Sequence, residues 1–296
     1  MTQRAAHAWT STGPAEPTSE EFDDLRELVQ RHAGIHLNAS KRALVYSRLA
    51  QRLQQLGMRT FGEYLRCVSR DATELEKMTD RITTNETHFF REPAHWEVLC
   101  EKIIPGWVRA ADDGHRQKTL RVWSAGCSTG EEPYSLAMAL LERLPPSSGW
   151  TIHINATDIS TRALDVARHA TWSMDRAREI PAHLLKRFML QGVGSQAGKL
   201  RAGPELRELV KVDWLNLSNR SYAVGASYDA VFCRNVLIYF EPDLRRRVVE
   251  QLLSHVSPGG YFFVGHAESV QGLRAITCLQ PTVYRKNGLV EAEARR

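Results

Sequence analysis

The sequence predicts an α/β fold in which a doubly wound, mainly parallel sheet follows a small all-α domain. From Leu120 onward, strand-like apolar runs alternate with helical patterns, which is typical of a parallel sheet. The stretch from Leu120 to Leu141 reads as a buried strand, a loop of small residues and a helix. Residues 19–82 carry only short amphipathic helical patterns. We therefore expect a helical domain over residues 19–82 and an α/β domain over residues 83–296.

Composition limits the classes of protein that this chain can belong to. Its 296 residues are 43% hydrophobic and 25% charged, as in an ordinary globular protein. No apolar run is long enough to span a bilayer and no secretory signal is present, so we expect no membrane insertion. The five cysteines are scattered without a CxxC pair, which argues against disulfides or a zinc site and favours the cytoplasm. A net charge of +5 permits an acidic partner but falls short of a nucleic-acid signature.

The N-terminal region divides into a tail and four predicted helices. Residues 1–18 are rich in Ser, Thr, Pro and Ala and are expected to be disordered. The second predicted helix, from about Lys41 to Leu56, carries three arginines on the side opposite its apolar residues. Arg42, Arg48 and Arg52 form either a solvated face or a docking face for an acidic helix.

The strand, loop and helix from Leu120 to Leu141 predict a ligand site. The helix begins at Glu131-Glu132-Pro133, with the proline in the first turn and two carboxylates at the positive end of the helix dipole. Such a unit brings backbone close to a nucleotide-like ligand at the carboxyl end of a parallel strand. The loop alone does not distinguish a nicotinamide cofactor from S-adenosylmethionine, although acidic residues there suit a sulfonium better than a pyrophosphate.

Three further segments place polar residues where strands or connections end. Asp158 follows the strand Thr151–Thr157, where nucleotide-binding folds contact ribose hydroxyls, although it could instead cap the next helix. The loop 213–217 can bracket a flat base, and 234–239 follows another apolar strand. The segment 83–93 joins polar residues to two phenylalanines and an arginine, which a plain linker does not require.

Two regions lie outside the regular alternation. Residues 170–209 contain a predicted hairpin with a glycine-rich turn at Gly192–Gly198, consistent with a small subdomain beside the main sheet. Near the end, Pro281–Arg285 is predicted to be an edge strand. His88, His95 and His266 lack metal-ligand spacing, so no metal site is expected.

Five segments together resemble one known family. The segments TTNETHFFRE, WSAGCSTGEEPYS, ATDIS, FCRNVLIYF and SPGGYFFVGHAES resemble the CheR family, the chemotaxis receptor glutamate methyltransferases. The resemblance covers about residues 20–286 in the family's order. It implies an N-terminal helical domain and a Rossmann-like class I methyltransferase sheet that binds S-adenosylmethionine. It also implies a small antiparallel β subdomain, which residues 185–210 would form.

The resemblance also implies site residues on the N-terminal side of the methyltransferase domain. Asn85, Thr87 and Arg91 would reach over the cofactor. Either Glu131 or Glu132 would contact it, and spacing alone does not choose between them.

Further cofactor residues are implied at the ends of later strands. Asp158 would bind the ribose, while Asn216 and Leu217 would flank the adenine. Arg234 and Asn235 would close the methionine side. For catalysis, Arg91 and Tyr239 would face the carboxylate that receives the methyl group.

The implied reaction is the methylation of glutamate side chains on the cytoplasmic helical bundle of a chemoreceptor, for sensory adaptation, with S-adenosylhomocysteine as product. Glutamate is already ionised near pH 7, so no general base is required. Many family members bind a receptor's C-terminal pentapeptide through the β subdomain and others do not, so a tail-peptide partner stays open.

Two alternatives compete with that reading. Methylation of nucleic acid is suggested by the arginine-bearing helix and a pI near 9.0, but the Asn/Asp-Pro-Pro-Tyr/Phe motif is missing. The other alternative is a module that binds cofactor or receptor without catalysis. The presence of Arg91 and Tyr239 argues against it. We expect a monomer with no nucleic-acid partner.

Overall fold

The structure, a computed structural model, describes residues 13–225, 227–270 and 272–288. Residues 1–12 of the predicted tail lie outside the described residues. The described chain forms two compact units. The first holds the residues up to Thr83 apart from Ala33–Ile35, and the second holds Ala33–Ile35 and the residues from Thr84 onward.

The first unit is helical. Thr60 and Glu63 form a capping box at the start of its third helix, and Asp71 caps its fourth. The helices bury one apolar face each, including Leu49, Leu53 and Met78. They are α1 (Ser19–Ala33), α2 (Arg42–Gln55), α3 (Phe61–Val68) and α4 (Ala72–Ile82).

The arginines of α2 make contacts within the first unit. Arg52 forms an ion pair with Glu74, a buried carboxylate that also accepts a hydrogen bond from the Tyr64 hydroxyl at 3.1 Å. Arg48 donates to the carbonyls of Ile82 and Thr83. The hydrogen bond from Arg52 holds the pKa of Glu74 below its usual value. These contacts give the arginine face a structural role inside the helical domain.

The second unit alternates strands and helices as predicted. Two helices separated by a π-helical turn precede the first strand, and three short strands with one helix interrupt the alternation after the helix Thr161–His169. The elements before that interruption are α5 (Pro93–Val98), α6 (Ile104–Asp112), β1 (Thr119–Ala125), α7 (Glu131–Arg143), β2 (Thr151–Asp158) and α8 (Thr161–His169). The interruption consists of β3 (Thr171–Ser173), α9 (Ala182–Phe188), β4 (Met189–Gln191) and β5 (Lys199–Ala202). The remaining elements are α10 (Pro204–Leu209), β6 (Val210–Trp214), β7 (Tyr228–Cys233), α11 (Pro242–His255), β8 (Val256–Val264), β9 (Ile276–Gln280) and β10 (Val283–Lys286).

The main sheet has seven strands in the order β6-β2-β1-β7-β8-β10-β9. The pairs joining β6 to β8 are all parallel, and β10 is antiparallel to both of its neighbours. The chain winds outward from β1 to β6 and then returns to β7 on the other side of β1. The carboxyl ends of β1 and β7 therefore mark a topological switch point, where open α/β sheets bind ligands.

Successive residues of β1 enter separate cores on the two faces of the sheet. Leu120 and Val122 pack into one buried cluster, and Trp123 and Ala125 pack into the other. Side chains alternate along a strand, and burial on both faces requires helices on both sides. This confirms the predicted α/β class with a Rossmann-like sheet.

The C-terminal hairpin corrects one prediction. Pro281–Arg285 was expected to be an edge strand, but β10 spans Val283–Lys286 and lies between β8 and β9. The edge is β9, of whose five residues only Ile276 is buried, whereas Val283 and Tyr284 of β10 are both buried. The prediction was wrong because the chain first forms the edge and then turns back at Thr282, which adopts a positive φ of 68°.

A second sheet of three antiparallel strands, in the order β3-β5-β4, confirms the predicted small β element. Its strand β3 precedes the predicted range 185–210, and residue 210 already begins β6 of the main sheet. In the described part of the chain, no helix is long and apolar enough to cross a membrane.

Candidate functional site

Two glycines allow the loop between β1 and α7 to pack closely against neighbouring residues. Gly126 has a φ of +84°, and a Cβ there would lie 2.4 Å from a methyl group of Val236. Gly130 has a φ of +98°, and a Cβ would lie 2.9 Å from the Cβ of Ala167. Positive φ and close approach both favour glycine. The loop thus presents backbone at the switch point.

Asp158, at the end of β2, is joined to this loop. Its carboxylate accepts hydrogen bonds from the backbone N–H of Ser128 at 2.8 Å and of Ser160 at 2.9 Å. Ser160 is the cap of α8, because its side chain accepts from the N–H of Ala163. Asp158 therefore lies at the carboxyl end of β2 and contacts the loop that follows β1, where open α/β sheets bind ligands.

Asn85 lies against both of these loops. Its carbonyl accepts a hydrogen bond from the Ser128 hydroxyl at 3.0 Å, and its amide donates to the Ser160 hydroxyl at 3.3 Å. The segment after Thr83 thus passes over the carboxyl ends of β1 and β2.

The two phenylalanines of this segment fix it to the α/β domain. Phe89 is buried, its ring meets Trp172 edge-on with centroids 5.0 Å apart, and its N–H donates to Glu179. The N–H of Phe90 donates to the Ser135 hydroxyl at 3.0 Å. These contacts explain why two aromatic residues follow a polar stretch.

Thr87 and Glu131 lie on the side of the small sheet. Arg176 donates to the carbonyl of Thr87 at 3.0 Å, and its Nε lies 3.9 Å from a carboxylate oxygen of Glu131. Glu131 also accepts a hydrogen bond from the Thr129 hydroxyl at 2.6 Å. Burial raises the pKa of Glu131, although the hydrogen bond from Thr129 opposes that shift.

Arg234 is the centre of a buried ionic cluster. Its side chain donates to Glu132 at 2.9 Å and, through Nε and Nη2, to one oxygen of Glu92 at 3.3 and 3.1 Å. It also donates to the carbonyl of Arg91, and Glu132 accepts from the Ser124 hydroxyl at 2.7 Å. One arginine thus meets two carboxylates, which leaves these three side chains with one negative charge in excess. Glu131 and Glu132, adjacent in sequence, therefore face different partners.

Glu92 belongs to this cluster and was missed by sequence reasoning. It adopts a positive φ of 59°, and its second oxygen accepts from the Asn235 amide and from the N–H of His266. Burial raises the pKa of Glu92, but the charge of Arg234 and these hydrogen bonds outweigh burial and hold the pKa below its usual value. Its place beside Arg91 was visible in the sequence, but its partner Arg234 lies 142 residues away.

The ligand atoms of Glu92, His95 and His266 lie within 4.8 Å of one another, close enough to share a metal ion. Both oxygens of Glu92 are already engaged, one of them by the cationic Arg234, so a metal would have to displace that arginine. Burial and the charge of Arg234 lower the pKa of His95 to about 4, so His95 is neutral at pH 7. The cluster is better explained as the support of Arg234 than as a metal centre.

The predicted adenine residues follow β6. The N–H of Leu215 donates to the carbonyl of Asp158 at 3.0 Å, which places the next two residues beside the end of β2. Asn216 and Leu217 are both buried, and the Asn216 side-chain oxygen accepts from the N–H and hydroxyl of Ser218.

Arg91, Asn235 and Tyr239 complete the predicted set. Arg91 donates to the carbonyl of Glu86 at 3.1 Å, and Asn235 joins the Arg234 cluster through Glu92. Tyr239 is half-buried on the 3-10 turn Leu237–Tyr239. In the part of the chain that the structure describes, Tyr239 makes no hydrogen bond to another predicted site residue. The contacts thus join the predicted cofactor residues in separate groups, and Tyr239 lies in the loop that follows β7. The groups are Asn85 with Asp158 through the β1 and β2 loops, Thr87 with Glu131 through Arg176, and Glu132 with Arg234 and Asn235.

This sheet order, with an acidic residue after β2 and a glycine loop after β1, is typical of class I S-adenosylmethionine-dependent methyltransferases. The chain belongs to the CheR methyltransferase family. Residues 20–83 match its all-alpha domain, and residues 85–283 match its SAM binding domain. The protein is therefore a methyltransferase that uses S-adenosylmethionine.

Named relatives are similar over nearly the whole chain. Chemotaxis protein methyltransferase 2 of Pseudomonas aeruginosa is 40% identical over 272 residues, which is 90% of this chain and 93% of that protein. The chemotaxis protein methyltransferase of Escherichia coli is 36% identical over 267 residues, 89% of each chain. That of Borreliella burgdorferi is 32% identical over 273 residues, 91% of this chain and 95% of that protein.

Proposed function

We propose that this protein methylates glutamate side chains on the cytoplasmic helices of chemoreceptors, giving glutamate methyl esters and S-adenosylhomocysteine. The observation that carries the proposal is the similarity, over about nine tenths of the chain, to proteins named chemotaxis protein methyltransferase. Both domains match the family, so the proposal concerns the whole protein and not the cofactor site alone.

The proposed cofactor site lies at the carboxyl ends of β6, β2, β1 and β7. Asp158 would bind the ribose, and Asn216 with Leu217 would flank the adenine. The close approach at Gly126 supports a ligand held by backbone, as a nucleoside is in such loops. The excess negative charge of the Arg234 cluster suits a cationic sulfonium donor.

The methionine side of the cofactor would meet Arg234 and Asn235, with Asn85, Thr87 and Arg91 reaching over it. Asn85 supports this assignment because it bonds to the loops after both β1 and β2. Of the two adjacent glutamates, we assign the contact to Glu132, because it lies with Arg234 at the switch point while Glu131 faces Thr129 and Arg176.

The reaction requires alignment of donor and acceptor more than acid–base catalysis. A substrate glutamate is ionised at pH 7 and can attack the methyl group in line. Arg91 and Tyr239 would hold that carboxylate by hydrogen bonds, strong and charge-assisted for Arg91 and weaker for Tyr239. Positioning of this kind can supply about 7–11 kcal/mol at best.

An acidic protein substrate is supported by the charges beside the small sheet. A groove of about 1260 Å³ is lined by three basic residues, Arg176, Lys199 and Arg201, and by two acidic residues, Glu131 and Asp165. Basic walls near the cofactor loop favour the approach of a glutamate-rich surface. Binding of a receptor's C-terminal tail by this subdomain, and a monomeric state of the enzyme, are further parts of the proposal.

Labelled methyl transfer tests the proposal. Purified protein is incubated with methyl-labelled S-adenosylmethionine and chemoreceptor-containing membranes, and the receptor band is then treated with mild alkali. The proposal predicts label that alkali releases as methanol, since carboxyl methyl esters hydrolyse readily. Label that survives alkali, or label found only on nucleic acid added in parallel, would contradict it.

A further inference from the structure

One buried carboxylate outside the predicted site joins the loops that follow β7 and β8. Glu268 is only 6% exposed. Its Oε2 accepts hydrogen bonds from the backbone N–H of Asn235 at 2.8 Å and of Gly265 at 2.6 Å. Its Oε1 accepts from the N–H of Ile238 at 3.2 Å. A single side chain therefore satisfies backbone donors from both loops.

These donors belong to loop residues without a strand ladder to pair with. Buried backbone N–H groups without a partner are costly, so the carboxylate stabilises one conformation of the β7 loop. Asn235 has a positive φ of 60°, a conformation that persists in a non-glycine residue only where its surroundings impose it. Hydrogen bonds to an ionised acceptor are strong enough to do so.

The same loop carries the proposed site residues. Arg234 and Asn235 precede the turn Leu237–Tyr239, and Tyr239 ends it. Glu268 binds the chain before the turn, at Asn235, and within the turn, at Ile238. The two loops also touch directly, because a Cβ at Gly265 would lie 2.5 Å from the Asn235 amide nitrogen. Any change at Glu268 or Gly265 is therefore transmitted to Asn235.

We propose that Glu268 is a positioning residue for methyl transfer, which holds the loop 234–239 in the conformation that presents Arg234 and Asn235 to the cofactor and Tyr239 to the substrate. The inference rests on the proposed site and adds to it a residue that touches neither ligand. Burial raises the pKa of Glu268, and the backbone donors from Gly265, Asn235 and Ile238 oppose that shift.

The test compares Glu268→Gln with a control at another buried carboxylate. In the glutamine variant, one acceptor oxygen becomes an NH₂ group that faces backbone donors. Glu74→Gln is the matched control, because Glu74 is 3% exposed, is held by Arg52 and Tyr64, and belongs to the helical domain. Affinity for S-adenosylhomocysteine is measured by calorimetry, melting temperature by fluorescence, and kcat and KM with receptor.

Both variants should melt below wild type, but only Glu268→Gln should lose cofactor affinity, by about tenfold, together with kcat. The affinity of Glu74→Gln should stay within about twofold of wild type. Glu268→Asp keeps the charge and both acceptor oxygens, so it should recover part of the loss. A folded Glu268→Gln protein with wild-type affinity and kcat would overturn the proposal.

A second variant covers the case in which Glu268→Gln does not fold. Gly265→Ala leaves the carboxylate in place but directs a methyl group at the Asn235 amide, and it should weaken S-adenosylhomocysteine binding in the same direction. Gly106→Ala, with no atom within 4 Å of the added carbon, is its control. Normal binding by Gly265→Ala would contradict the proposal. Failure of the proposed function is distinct, because the wild-type protein would then bind cofactor without methylating receptor.

Discussion

Replacement of Arg234 by methionine probes the ionic cluster at the switch point. The side chains of Glu92 and Glu132 are 10% and 12% exposed, and Arg234 makes hydrogen bonds to both. Methionine fills much of the space but leaves two carboxylates without their cation. Loss of one partner from a buried ion pair costs about 3–5 kcal/mol, and we expect that loss in the free energy of unfolding at pH 7.5.

The same variant should also change how the free energy of unfolding depends on pH, through the part of that dependence that this cluster contributes. In the wild-type protein the pKa of Glu92 lies below its ordinary value of 4.5. The stability that the ionised Glu92 contributes to the folded protein is therefore fully present above pH 4.5 and is lost as the pH falls further. Without Arg234, its charge no longer offsets the effect of burial, so the pKa of the Glu92 carboxyl group rises in the folded state. The wild-type protein loses stability between pH 7.5 and pH 5, because His95 has a pKa of about 4 in the folded state and 6.5 in the unfolded chain. The variant should lose less stability over the same range, because Glu92 takes up a proton in the folded state and the charge of Arg234 no longer lowers the pKa of His95.

Urea unfolding followed by tryptophan fluorescence at the two pH values measures both effects. Arg246→Met is the control, because Arg246 is 75% exposed and pairs with the exposed Glu250, so its loss should cost less than about 0.5 kcal/mol. An Arg234→Met protein as stable as the control, with the same pH dependence as wild type, would refute the description of the cluster.

Three further predictions test the site at separate points. Gly126→Ala forces a methyl group against Val236 at a positive φ, so we expect loss of S-adenosylhomocysteine binding by calorimetry, and retained binding would refute the backbone approach. Glu132→Gln should weaken that binding about tenfold and Glu131→Gln less, since only Glu132 bonds to Arg234; the opposite ranking would move the cofactor contact to Glu131. Tyr239→Phe should lower kcat with receptor about tenfold or more while leaving S-adenosylhomocysteine affinity unchanged, and a parallel loss of affinity would place Tyr239 at the cofactor instead.

The parts of the fold that could be predicted from sequence are those encoded locally. The strand, glycine loop and helix from Leu120 to Leu141 carry their own pattern of apolar, small and acidic residues, and the strand ending at Asp158 does the same. The doubly wound, mainly parallel class of the sheet followed from the alternation of strands and helices and from the resemblance. The position of β10 did not follow, because it depends on the reversal at Thr282 and not on the composition of either strand.

The residues that hold the site residues in place could not be predicted from the sequence in the same way. Glu92 and Glu268 look like ordinary surface acids in the sequence, and their roles follow from burial and from partners 142 and 33 residues away. Likewise, Glu131 and Glu132 are equivalent in the sequence pattern, but the turn of α7 directs them to Arg176 and Arg234 respectively. Which charged residues pair across a long stretch of sequence depends on the tertiary structure, and the periodicity of the sequence does not predict it.

The central claim, methyl transfer to receptor glutamates, is tested most directly by mass spectrometry of receptor peptides after reaction with the wild-type enzyme and S-adenosylmethionine. The account predicts peptides from the cytoplasmic helical bundle that gain the mass of one methylene group on glutamate, with none when those glutamates are replaced by alanine. Methylation on lysine, on arginine or on a backbone terminus, with the glutamates unmodified, would contradict it.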